Sequence, residues 1–343
     1  MSTTITRRPE VLLEVKDLSV GYRTEDGELV TLVDQVSLTV HENEVLCVVG
    51  ESGSGKSVTM SAVLGLLPPG LEVLGGSIEY RGNPLLGLSE REMRRLRGAE
   101  LGVVFQDPLT ALNPVKRVGR QLERAIRAHN RTMSARDVRR RVLELLEDVR
   151  IPNPAEMARA YPHQWSGGMR QRAAIAGAIA NRPRVLVADE PTTALDVTVQ
   201  AQVMDLLTRV RAESGAALVL ITHDLGLVAE VADRICIMYA GRVVEEASVW
   251  DVFDAPAHPY TAGLLGSLLT TTHAEGRAYS IPGSPPTPTR RPPGCAFAAR
   301  CELPARSTAC TVLVPELRPA PHGGAAACHH LAEARTFTEA VAH

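Results

Sequence analysis

The chain has 343 residues, 37 basic and 39 acidic, for a formal net charge of −2. With 45% apolar and 22% charged residues it has enough apolar surface to offset the entropy of ordering, which excludes wholesale disorder. The near-neutral balance removes the field that drives non-specific nucleic-acid binding, and no apolar run reaches the ~18 residues of a membrane-spanning helix.

About 150 residues per domain predicts roughly two domains. At the N-terminus Arg7 and Arg8 are followed by Glu10 and Glu14, which interrupt any apolar core of a signal peptide. The chain therefore reads as cytoplasmic, with reduced thiols. Val45 to Val49 is a continuous apolar run and predicts a buried strand. A Gly-rich turn follows, then a helix over 57–67 that stops at Pro68-Pro69-Gly70. Residues 107–166 interrupt the alternation as a helical insertion. There Val138, Val142, Leu145, Leu146 and Val149 follow helical spacing, and Ser134 with Asp137 has the form of a capping box. Arg139, Arg140 and Arg141 fall mostly on the opposite, solvated face. Strands over 185–188, 218–222 and 235–239 and helices over 171–180 and 199–213 predict βαβ units and a largely parallel sheet.

The composition changes near residues 250–280. Twelve of the 23 prolines lie between Pro256 and Pro321. Residues 271–294 read as a linker or irregular strap, and the last dozen residues as a helix or frayed end. Cys47 and Cys236 sit in strand-like runs, whereas Cys295, Cys301, Cys310 and Cys328 cluster in the tail.

Gly50-Glu51-Ser52-Gly53-Ser54-Gly55-Lys56-Ser57 matches G-x-x-x-x-G-K-[ST] between a predicted strand and helix. Glycines let successive N–H groups face phosphate oxygens, and the helix adds its positive dipole end. Lys56 suits the β/γ-phosphates and Ser57 suits Mg²⁺. Thr59, within the helix, is placed with the nucleotide contacts. Val185 to Ala188 ends in Asp189-Glu190 at a strand's C-terminal end, where α/β nucleotide sites form. Asp189 suits Mg²⁺, and Glu190 suits orienting or deprotonating water.

Ser166-Gly167-Gly168-Met169 precedes a helix about 20 residues before Asp189. With it, residues 11–250 resemble the ATP-binding cassette (ABC) ATPases. In that resemblance Gln106 matches the Q-loop, Ala194-Leu195-Asp196 the D-loop, His223 the switch histidine and Tyr22 the adenine-stacking aromatic. It implies that Glu190 polarises water, His223 senses the γ-phosphate and Gln106 joins Ser57 and Asp189 at Mg²⁺. It also implies that Ser166, Gly167 and Gly168 contact ATP on an opposing subunit, with Asp196 communicating across the dimer. Trp165 and Met169 depart from the commoner Leu and Gln, and leave the Ser-Gly-Gly donors intact.

His258-Pro259-Tyr260-Thr261, Ile281-Pro282-Gly283 and the cysteine tail resemble the oligopeptide/dipeptide importer branch, which includes nickel relatives. The expected fold is an α/β RecA-like P-loop core with an antiparallel β edge, a helical subdomain near 107–166 and a Cys-containing extension. The expected domains are 11–255 and 256–335. Four tail thiols spaced by 5, 8 and 17 residues suggest a metal, although the spacing names none. The resemblance implies a [4Fe-4S] cluster, with Zn²⁺ as the alternative. His322, His329 and His330 read as surface residues.

The function read from these residues is an ATPase subunit of a peptide importer, peripheral on the cytoplasmic face of the membrane. Its expected partners are two polytopic permease subunits, a second and different ABC ATPase, and indirectly an extracytoplasmic binding protein; nucleic acid is not expected. Alternatives are a nickel or other small-solute importer, or a soluble ABC ATPase of a non-transport complex.

Overall fold

The protein is described by a computed structural model covering residues 9–107, 111–193, 195–269, 280–303, 307–321 and 323–333. The readings of Ala194 and His322, of residues 271–279 in the expected strap, and of ten of the last dozen residues lie outside these segments.

The chain opens with strands β1 (Val11–Arg23), β2 (Leu29–His41) and β3 (Val45–Val49), then helix α1 (Lys56–Val63). Next come β4 (Glu72–Tyr80), β5 (Asn83–Pro84), α2 (Glu90–Leu96) and β6 (Leu101–Val104). Helices α3 (Val118–His129), α4 (Ala135–Asp148) and α5 (Gly167–Ala178) precede β7 (Val185–Asp189) and α6 (Val197–Ser214). The remaining core elements are β8 (Ala217–Thr222), α7 (Leu225–Val231), β9 (Arg234–Tyr239), β10 (Arg242–Ser248) and α8 (Val249–Asp254). The extension adds α9 (Pro259–Leu269) and two short strands, β11 (Arg318–Pro319) and β12 (Ala325–Ala326).

Two compact units result. The first comprises Met1–Leu13, Thr39–Glu44 and Tyr80–Ile221. In it β6, β7 and β8 pair in parallel, with Leu101 opposite Val185 and Val185 opposite Ala217. Their residues are almost all buried, as strands covered on both faces require. Helix α4 buries Val138, Val142, Leu145 and Leu146, while Arg139 and Arg140 face solvent, as the spacing predicts. Ser134 caps it by accepting from the Asp137 N–H at 3.1 Å. Helix α3 contributes Val118, Leu122 and Ile126 to the same core.

The second unit comprises Glu14–Leu38, Val45–Glu79 and Thr222–His343. Here β3 pairs in parallel with β9, and β9, β10, β12 and β11 follow in antiparallel order. The tail thus continues the sheet, with Ala326 opposite Glu245. A second sheet carries β2, β1 and β4 side by side.

The helix expected over 57–67 ends at Val63 instead. Gly65 takes φ +61°, and Leu66 N–H returns to the Ser61 carbonyl at 2.8 Å. This is the left-handed glycine stop that closes many helices, and it acts before the prolines do. The helices expected from 171 and 199 begin earlier, where the Ser166 and Asp196 side chains cap them. Among the described residues no helix is long and apolar enough to cross a membrane.

Candidate functional site

The expected site residues fall on both units. In the second, β3 delivers the chain into the 50–57 turn. A Cβ on Gly50 would lie 2.2 Å from the Met238 carbonyl oxygen of β9, so only glycine fits there. Gly53 and Gly55 take φ of +80° and +100°, which curl the loop into α1. Lys56 is buried, and its Nζ donates to the carbonyls of Gly50 at 2.7 Å and Glu51 at 2.9 Å. These bonds fold the loop around the ammonium, the group that would meet phosphate. Ser52, Gly53 and Ser57 are exposed, and Ser54 is buried. Thr59 is fully buried, and its hydroxyl donates to the Gly55 carbonyl at 2.9 Å, which braces the helix start rather than facing solvent. Tyr22 lies half-buried near the end of β1. His223 is exposed just after β8, and the following Asp224 caps α7 by accepting from Gly226 and Leu227.

In the first unit the sheet brings two expected catalytic residues together. Gln106 follows β6, and its Nε2 donates to Glu190 Oε2 at 3.0 Å. Thr193 Oγ1 donates to the same oxygen at 2.8 Å. Glu190 holds φ +44°, and its N–H donates to the Ile221 carbonyl at 2.9 Å. A non-glycine residue in this region is strained by ~1–3 kcal/mol, a cost that aims the carboxylate at the strand end. Asp189 is the last residue of β7 and pairs with Ile221.

Ser166 accepts from the Met169 N–H at 3.3 Å and starts α5. A Cβ on Gly168 would meet Val199 Cγ1 at 2.7 Å, so that glycine permits close packing of α6. Trp165 is buried ahead of it. Asp196 accepts from Val199 N–H at 2.9 Å as the cap of α6.

The tail places Cys295, Cys301, Cys310 and Cys328 around one small cavity of about 20 Å³, together with His258, His329 and His330. All four carry thiols rather than disulfides. Burial, then the neighbouring cysteines, push Cys328 up to about 12; burial chiefly pushes Cys295 up to about 11. Among the described residues no group of three or more His, Cys, Asp or Glu is arranged to hold a metal ion. His330 Nε2 lies 3.0 Å from Ser307 Oγ, and His329 Nε2 lies 2.9 Å from the Leu313 carbonyl, which it meets as a donor.

Four structural residues have roles that the sequence does not assign: Glu245, His258, Tyr260 and Arg300. Glu245 is buried in β10 and accepts from the N–H groups of Ala257 at 2.7 Å and His258 at 2.9 Å. Burial pushes its carboxyl up to about 7. His258 Nδ1 accepts from the Tyr260 N–H at 3.0 Å, so its ring proton belongs on Nε2. Burial pushes His258 down to about 4. The H-P-Y-T run marks two of the four, whereas Glu245 and Arg300 carry no local signal.

A parallel core with a Gly-rich phosphate loop, a strand-end Asp-Glu pair and a Ser-Gly-Gly helix start defines an ABC ATPase. Residues 33–193 match the ABC transporter family, and residues 244–310 match the oligopeptide/dipeptide transporter C-terminal region. The chain is 51% identical over 298 residues to a putative peptide import ATP-binding protein of Brucella abortus (strain 2308), covering 87% of this chain and 89% of that one. It is 47% identical over 307 residues to the dipeptide transport ATP-binding protein of Bacillus subtilis (strain 168), covering 89% and 90%. A dimeric bacterial ABC transporter cassette superposes with TM-score 0.63 at 30% identity, covering 69% of this chain and 99% of that one. The chain belongs to the ABC transporter ATP-binding proteins, on their peptide-import branch, and is an ATP hydrolase of that class.

Proposed function

We propose that the chain is the ATP-hydrolysing subunit that powers import of di- or oligopeptides through a membrane ABC transporter. The observation that carries this reading is the similarity to peptide-import proteins over 87% of the chain, through core and extension alike. Tyr22 stacks on adenine, and Gly50 to Ser57 cradle the phosphates, with Lys56 as the charge. Ser57, Gln106 and Asp189 offer the oxygen donors that Mg²⁺ prefers. Mg²⁺ held there would neutralise phosphate charge. Glu190, held by Gln106 and Thr193, orients or deprotonates water, and His223 senses the γ-phosphate. Ser166, Gly167 and Gly168 face ATP held by a partner ATPase, and Asp196 lies at that junction.

The partners are two membrane permease subunits and a second, different ATPase, with an extracytoplasmic binding protein upstream. The location is peripheral, on the cytoplasmic face of the membrane. Four thiols around one cavity supply the soft donor set that suits iron–sulfur and zinc alike. Cys295, Cys301, Cys310 and Cys328 are the residues that would hold a [4Fe-4S] cluster, with Zn²⁺ as alternative, and the group would supply cohesion to the tail.

Glu190→Gln tests the catalytic reading. Removal of a general base lowers the rate by about 10²- to 10⁴-fold. ATP binding is retained in this variant. Near-normal hydrolysis would overturn the assignment.

A further inference from the structure

Glu51, the second residue of the phosphate loop, is fastened by the C-terminal extension. Its N–H donates to Tyr260 Oη at 3.0 Å. Its two carboxylate oxygens each accept from Arg300 Nη1 at 3.0 Å. Its carbonyl accepts from Lys56 Nζ at 2.9 Å. Arg300 is itself fixed: Nε donates to the Pro282 carbonyl at 2.8 Å, and Nη1 reaches Tyr239 Oη at 3.3 Å. The Arg300 side chain is 8% exposed, against 26% for Glu51. Beneath them Tyr239, Tyr260 and Phe297 form an aromatic bed, with ring centroids 4.7 to 5.4 Å apart.

A carboxylate is a poor choice in a loop that receives a polyphosphate, because like charges repel across a few ångströms. Glycine or serine would curl the chain equally well. The carboxylate is tolerable when a permanent, desolvated guanidinium cancels it, and Arg300 is always charged. Tyr260 meanwhile fixes the backbone at the first turn of the loop. We propose that Arg300 and Tyr260 are positioning residues of the ATP site: the extension neutralises and orients Glu51, so that the loop receives phosphate without repulsion. This rests on the reading of residues 50–57 as ATP's phosphate cradle.

The test is a titration of the full-length chain with a fluorescent ATP analogue and Mg²⁺, with thermal melts to confirm folding. Arg300→Ala exposes the Glu51 charge and weakens binding about tenfold, more at low salt than at high salt. Arg300→Ala combined with Glu51→Gln binds more tightly than Arg300→Ala alone and restores most of the loss. A purely structural arginine would give no such rescue, so equal weakening in the single and double variants overturns the proposal. Unchanged affinity in Arg300→Ala also overturns it, provided Lys56→Ala loses binding. If Lys56→Ala binds normally, the cradle reading falls and the proposal with it. Should Arg300→Ala melt early, Arg300→Gln gives the same comparison with less packing lost.

Discussion

The buried pair of Glu245 and His258 has opposite pH responses. His258 is held near 4 by burial, against 6.5 in an unfolded chain. Between those values the unfolded state binds the extra proton, so this residue's contribution to stability is present above 6.5 and is lost as pH falls toward 4. Burial raises Glu245 from 4.5 to about 7, so the fold favours its protonated form, and its contribution is lost as pH rises through that window. The two trends offset each other in the native protein. His258→Asn therefore loses most stability relative to the parent at neutral pH, and the gap between their melting temperatures narrows toward pH 4. A gap that widens on acidification would contradict the assignment of a neutral, buried imidazole. Residues of this kind are hard to read in sequence. His258 stands beside a proline in a run that looks like an ordinary helix start, and Glu245 looks like any strand carboxylate. Gly50 to Ser57, by contrast, are legible because consecutive residues carry the whole chemistry.

Elements were legible where one signal covered several residues. The strands over 45–49 and 185–188 are unbroken apolar runs, and α4 repeats its apolar face over 14 residues behind a capping serine. The 13-residue strands β1 and β2 are not unbroken apolar runs. Their alternation is clear only in part, as in Val36, Leu38 and Val40, and Asp17 and Gln35 interrupt it with φ of +47° and +52°. Contacts between elements are less visible still. A Cβ on Gly119 of α3 would lie 2.7 Å from the Ala158 carbonyl oxygen, a backbone atom that has little room to yield. Gly119→Ala should destabilise the first unit by about 1–3 kcal/mol, read as a lower midpoint in denaturant. A neutral or stabilising result would show that the helix moves away freely.

At the scale of the whole molecule, the class was carried by the order of its motifs, while the join between tail and core was not. Affinity purification from detergent-solubilised membranes should recover two polytopic proteins and a second ATPase. Recovery of ribosomes or soluble enzymes alone would contradict the transport assignment. Elemental analysis of anaerobically purified protein should give iron with acid-labile sulfide, lost in Cys301→Ser; zinc without sulfide would select the alternative metal. The Arg300–Glu51 pair spans 249 residues of sequence. At 5–20 residues per second, a ribosome needs roughly 10–50 s to make that stretch. A nascent chain therefore carries its phosphate loop long before the partner of Glu51 exists, and a message truncated before codon 300 yields a cassette that ATP meets with an unbalanced charge. On the proposal above, such a truncated cassette binds ATP more weakly than the full-length chain.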